Sequence, residues 1–320
     1  MFKKIYLRKI LISISSLFAL FLIYIFPDEV NKLSDVKEEV VYTNNQLEFN
    51  DIYLIDDYNM VSLTSIYVSS DELIDKAYEL VEVLINGGVN EDRIPNGFRS
   101  IIPSETKILD ITYKDNIINI NFSSQLLDVS ESDEEKMIEA IIYTLTSIDS
   151  VEGIIISVEG NILRQLPKTK INLPEILNRS FGINKQYDIT SSKNIVGVTT
   201  YFVNKNNDTF YYVPVTKYLN DDRDKIKIVV DLLSSSSNYN TNLMSFLNSN
   251  TELIGYVYED DVMKLNFNEY IYNDFESKEI LEEVIYTICL SVNDNYDVDE
   301  VIFNVNDEEI YKSVLKSIEN

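Results

Sequence analysis

Histidine and tryptophan are absent from the 320 residues, and cysteine occurs once. Without histidine there is no Ser/His/Asp or Cys/His nucleophile system, and a single cysteine allows no intramolecular disulfide and few zinc sites. Positive charge is scarce too: 27 lysines and arginines stand against 53 aspartates and glutamates, a net charge of -26. A nucleic-acid binder needs a basic footprint to neutralise phosphates, so that class is excluded. What is present suffices to fold. The chain is 45% hydrophobic and 25% charged, 22 tyrosines and 14 phenylalanines supply large aromatic surface, and the length suits about two domains.

The N-terminus reads as a membrane anchor over residues 1–30. Lys3, Lys4, Arg8 and Lys9 mark a cytoplasmic tail (1–9), and an uncharged span follows over 10–26, roughly 25 Å as a helix. Asp28 and Glu29 come after it, so the positive-inside rule places everything beyond residue 30 outside the cytoplasm. A cleaved signal peptide is the main competitor, and a buried hairpin or core helix a lesser one. The end of the run, "FLIYIFPDEV", lacks a small-x-small cleavage pattern. The only cysteine is Cys289, which rules out a lipid-modified N-terminal cysteine.

After a polar, acidic tether (31–49), the chain repeats itself. "YKDNIININ" with Phe122 corresponds to "YEDDVMKLN" with Phe267, "IPSETKIL" to "LNSNTELI", and "IYTL" at 142–145 to "IYTI" at 285–288. In the first copy Leu109, Ile111 and Tyr113 share one strand face, Lys114, Asp115 and Asn116 turn the chain, and Ile118, Ile120 and Phe122 return. Ile254, Tyr256 and Tyr258, then Met263, Leu265 and Phe267, repeat that hairpin. Helices follow each hairpin, with stripes from Met137 to Ile148 and from Ile280 to Ile288; Ser132 and Glu135 have capping-box spacing. Other helices precede the hairpins, from Leu73 and from Ile226, and opening strands near 52–68 and 200–215 suggest an additional hairpin in each copy.

The predicted fold class is α+β: two small domains, 50–163 and 197–309, each β-α-β-β-α-β with helices covering one face of a sheet. A linker (164–196) with Pro167 and Pro174 joins them, part ordered bridge and part flexible, and Ile310, Val314, Leu315 and Ile318 predict a C-terminal helix over 310–320.

This arrangement resembles the tandem GerM domain proteins, sporulation and germination proteins of endospore-forming bacteria. The resemblance is carried by "IPSETKILDITYKDNIININFSS" and "MIEAIIYTLTSIDSVEGIIISVEG" and covers roughly 50–309. The second copy departs from it at Asn248, where the first has Pro103, and at Asn306 and Asp307, where the first has Glu159 and Gly160. The resemblance implies a fold similar to ring-building modules that associate side by side. It also implies a role in assembling or positioning envelope complexes, with no catalytic residue to carry over.

Candidate chemistry is thin, and no catalytic, cofactor-binding or metal site is assigned. Asp133, Glu134 and Glu135, and Asp221, Asp222 and Asp224, fit helix starts. The runs at 259–261 and 297–300 lack calcium-loop spacing, Asn86, Gly87 and Gly88 fit a helix end, and Cys289 fits a buried thiol. Phe202, Phe210, Tyr211 and Tyr212 form a possible partner surface: they alternate only partly, so one of each pair faces away from the core or into another domain. Candidate partners are other envelope or sporulation proteins, the membrane through the N-terminal helix, further copies of the chain, and peptidoglycan. The rival to an assembly role is a glycan-binding envelope module. A carboxylate-pair hydrolase lacks a convincing pair.

Overall fold

The computed structural model describes residues 49–207, 209–235 and 242–315. The predicted anchor, and all of the predicted tether but Phe49, lie outside the described residues. Among the described residues no helix is long and apolar enough to cross a membrane.

Each repeat opens with an antiparallel hairpin. In the first it is β1 (Phe49–Asp56) and β2 (Val61–Tyr67); in the second, β9 (Ile195–Asn206) and β10 (Thr209–Asn220). A helix follows: α1 (Leu73–Leu84) in the first repeat, α3 (Lys225–Ser234) in the second. The short β3 (Phe98–Arg99) pairs with β1. The first repeat then builds the sheet β4 (Ile108–Lys114), β5 (Ile117–Phe122), β6 (Gly153–Val158) and β7 (Asn161–Ile162), with α2 (Glu134–Leu145) between β5 and β6. The second builds the same sheet from β11 (Leu253–Glu259), β12 (Val262–Phe267), β13 (Glu300–Val305) and β14 (Glu308–Val314), with α4 (Glu282–Asn295) in the crossover.

Matching two-residue turns punctuate both sheets. Asp115 and Asn116 (φ 52 and 62) correspond to Asp260 and Asp261 (φ 51 and 58), and Glu159 and Gly160 (φ 49 and 77) to Asn306 and Asp307 (φ 53 and 65). Positive φ at both central residues is the type I′ signature that suits twisted hairpins. The second copy's departure at 306–307 therefore performs the same turn. It also explains why the predicted C-terminal helix is instead the strand β14, antiparallel to β13. Ile310 and Val314, four apart, share a face in a helix and in a strand alike, and over so short a stretch the turn decides. Residues 316–320 lie outside the described residues.

The crossover helix of the first repeat carries strands on both faces. α2 packs against β1 and β2 on one side and β6 on the other, which is why most of its residues, Met137 through Leu145, are buried. The opening hairpins do not join the sheets of their own repeats. They join each other: Leu63 of β2 pairs with Tyr212 of β10, giving one sheet shared by both repeats. The chain also corrects the helix alignment. Tyr53 N–H donates to Thr144 Oγ1 (3.0 Å) and Tyr201 N–H to Ser291 Oγ (2.9 Å), so Ile141, Ile142 and Leu145 correspond to Ile288, Cys289 and Val292. That is one helical turn beyond the "IYTL" to "IYTI" match.

The expected capping box does not form. Ser132 Oγ bonds Ser130 Oγ (2.8 Å), Asp133 occupies the N-cap without a side-chain cap bond, and Glu135 reaches Lys185 Nζ (2.7 Å). Asp224 likewise caps α3 by position only, and Asp221 pairs with Arg223 instead. Burial pushes the Cys289 thiol up to about 12, and the residue is 3% exposed.

The linker is stitched to the first repeat. Leu166, Leu173, Leu177 and Ile183 are buried in that repeat's core, each leucine contributing about 1.5–3 kcal/mol. Glu134, 1% exposed, accepts from Lys168 N (3.0 Å), Thr169 N (2.7 Å) and Thr169 Oγ1 (2.6 Å). Leu177 bridges Ile154 of β6, and β8 (Gln186–Asp188) then adds in parallel to β10.

Candidate functional site

The junction of the repeats concentrates the buried polar groups. The register that sets Leu63 opposite Tyr212 places Val61 opposite Pro214. Within their hairpins Leu63 faces Tyr53 and Pro214 faces Tyr201, while Val61 faces Ile55 and Tyr212 faces Val203, so the two pairings exchange under a local twofold that sets the equivalent Ser62 and Val213 opposite each other. Pro214 has no N–H to offer a ladder. The Asn184 side chain takes over at that point: Val61 N–H donates to Asn184 Oδ1 (3.0 Å), and Asn184 Nδ2 donates to the carbonyls of Val61 and Pro214 (both 2.7 Å). Asn184 stands at φ 46, a conformation asparagine tolerates better than most residues.

Behind this seam lies a chain of hydrogen bonds. Tyr201 Oη donates to Asp294 Oδ2 at 3.0 Å and lies 2.8 Å from Tyr53 Oη. A phenol has one proton, so Tyr53 donates to Tyr201. Asp294 is also paired with Arg179 Nη1. The guanidinium lies over Tyr143 (5.0 Å) and Tyr53 (5.7 Å), while its Nε donates to Thr146 Oγ1 (3.1 Å). First repeat, linker and second repeat thus supply Tyr53 and Tyr143, Arg179, and Tyr201 and Asp294 respectively. Burial opposes the Arg179 charge, and Asp294 with the surrounding phenols outweighs it, holding the guanidinium protonated. Burial pushes all three phenols upward, so they stay neutral and serve as donors rather than as bases or nucleophiles.

Two further carboxylates serve the seam. Asp56 is 3% exposed, and its Oδ2 accepts from Ser62 Oγ and Tyr211 Oη, both at 3.0 Å. Its Oδ1 accepts from Tyr58 N (2.9 Å) and Met60 N (2.8 Å), closing the β1–β2 turn. Glu139 accepts from Asn184 N (3.0 Å) beside Lys185, and burial pushes its carboxyl up to about 7. Such a shift often marks an acid–base site, but Glu139 is 2% exposed and engaged by the linker.

The four residues singled out as a partner surface are dispersed. Phe202, 4% exposed, belongs to the second core. Tyr211 is 6% exposed, its ring edge-on to Phe98 of the first repeat (5.0 Å). Tyr212, opposite Leu63, is half-buried and tilted against Tyr286 (5.7 Å). Phe210 is 39% exposed and packs against Phe246 (5.5 Å). Adjacent residues of a strand face opposite ways, so Tyr211 and Tyr212 meet the first repeat from two sides of one sheet. The domain such residues face is the other repeat of the same chain. Tyr53, Arg179, Asn184, Glu139 and Asp294 escaped sequence reasoning. None of them lies in the segments whose letters match between the copies.

Comparison with known proteins gives a consistent result. The profile of the Germane family, described as sporulation and spore germination, matches residues 51–164 and again 199–311. Spore germination protein GerM of Bacillus subtilis (strain 168) is 28% identical over 264 residues, 80% of this chain and 71% of that protein. The solved structure of the tandem GerMN domains of the sporulation protein GerM from Bacillus subtilis aligns with a TM-score of 0.73 and 26% identity, covering 82% of this chain and 92% of that one.

Proposed function

The chain belongs to the Germane family of sporulation and spore germination proteins, and from that premise we propose that it is a membrane-anchored, non-enzymatic protein acting outside the cytoplasmic membrane. Its task is to assemble or position a sporulation or germination envelope complex. The carrying observation is the family match over both repeats, in a chain whose relative is named for spore germination. The positioning role draws support from the junction. Two repeats held as one body present two similar sheets at a fixed spacing, and a partner engaging both gains effective concentration without new contacts. β4 and β11 are edge strands of those sheets, where another strand can add. The net charge of -26 favours a basic partner or a cation in any such contact, since like copies repel in solution.

A deletion strain tests this. It should form spores or germinate with reduced efficiency, with its envelope complexes misplaced. Normal sporulation and germination, with those complexes correctly placed, would contradict the proposal.

A further inference from the structure

The two repeats differ in length and composition where β12 leads to α4. That connection runs over residues 268–281, against 123–133 for the equivalent one between β5 and α2, fourteen residues against eleven. The shorter one carries Leu126 and Leu127 among small and acidic residues; the longer carries Tyr270, Tyr272 and Phe275. It is locally stapled: Asn273 N–H donates to Glu279 O (2.8 Å) and Lys278 N–H to Asp274 O (2.9 Å). Phe275, 56% exposed, meets the 46%-exposed Tyr270 edge-on at 6.0 Å. Across from them Phe246 stands edge-on to Phe210.

Between Phe246 and Tyr270 lies a half-open cleft of about 160 Å³, lined also by Asn248, Tyr272 and Asn273 and reaching Leu281 and Val284 of the α4 start. Small-molecule sites that enclose a whole ligand span about 300–1,000 Å³, so this one takes a single ring. No charged side chain lines it, in a chain with 53 acidic residues, which selects a neutral ligand. Aromatic faces accept C–H groups, and amides offer both donors and acceptors to hydroxyl or acetamido groups. Asn248 Oδ1 accepts from Asn250 N (2.9 Å), which fixes that amide's orientation.

From these features we infer that the second repeat binds a neutral sugar ring of a glycan chain in this cleft. One pyranose ring enters between Phe246 and Tyr270, hydrogen-bonded by Asn248 and Asn273, and neighbouring sugars run over the exposed rings of Phe275 and Phe210. The first repeat, lacking those aromatics, has no such site. The inference is independent of the envelope-assembly proposal, and either can fail alone.

The test uses the full chain in a detergent that carries no sugar, titrated with tetra-N-acetylchitotetraose and followed by saturation-transfer NMR. Saturable binding is expected. Tyr270→Ala and Phe275→Ala, both at exposed positions, should each weaken it about tenfold, equivalent to about 1.4 kcal/mol. Tyr187→Ala, at a 67%-exposed tyrosine outside the cleft, should leave it unchanged. Unaltered melting would show that the variants remain folded. Absence of saturation, equal binding by Tyr270→Ala, or displacement of the sugar by an uncharged apolar peptide would overturn the inference.

Discussion

The hydroxyls of Tyr53 and Tyr201, equivalent residues of the two repeats, lie 2.8 Å apart. Contact between equivalent residues is what a local twofold produces, and the pairing of Leu63 with Tyr212 and of Val61 with Pro214 exchanges under the same axis. Arg179 breaks the symmetry. One linker guanidinium serves the centre, and Asp294 of the second repeat takes it, while the first repeat has Ser147 at the corresponding helix position.

The direction of the hydrogen-bond chain predicts unequal costs for two similar substitutions. Tyr201→Phe removes a donor to Asp294 and the acceptor of Tyr53, leaving buried groups unsatisfied, and should cost about 2–3 kcal/mol. Tyr53→Phe removes only the terminal donor and should cost about 1 kcal/mol. Denaturant unfolding measures both; equal costs would mean the chain runs otherwise.

Asp294→Ala strands a buried guanidinium and should destabilise by about 3–5 kcal/mol. Replacing both partners, as Arg179→Met with Asp294→Leu, should recover most of that loss. A double variant as unstable as the sum of the two single ones would show that the pair does not interact.

Asn184→Ala removes three hydrogen bonds at the one point where proline interrupts the seam. The stranded Val61 N–H is the main penalty, about 1–3 kcal/mol. Hydrogen exchange should rise at Val61 ahead of the β4–β5 hairpin; unchanged protection there would contradict the bridging role.

Glu139 makes stability depend on pH. Its folded value of about 7 lies above the ordinary 4.5 because burial disfavours the carboxylate, with Glu135 adding to the rise and Lys185 opposing it. The folded state therefore binds the proton more tightly. This contribution is complete below pH 4.5 and is lost as pH rises through 7, by about 3 kcal/mol. Melting temperatures should fall over that window, and Glu139→Gln should flatten the decline and melt higher at pH 8. An identical slope in the variant would remove Glu139 as the cause.

The order of elements was legible because local signals agreed: polar pairs such as Asp115–Asn116 and Asp260–Asp261 between alternating strands, and apolar stripes over both crossover helices. The helix register was not, since a stripe shifted by one turn looks nearly the same, and shared letters favoured Ile285 over Ile288. β14 was hidden by residues that satisfy both periods. The junction was hidden for another reason. Arg179 and Asp294 are 115 positions apart, and nothing local distinguishes a clasp from a solvated charge. The aromatic pair Tyr211 and Tyr212 was visible in the sequence, but not that the surface they meet is the chain's own first repeat, Phe98 and Leu63.

Location through the cell cycle tests the central claim most directly. A functional fluorescent fusion should move from an even distribution during growth to enrichment at the engulfing or forespore membrane as spores form. A uniform membrane signal in growing cells, unchanged through spore formation, would contradict a role in positioning a sporulation complex.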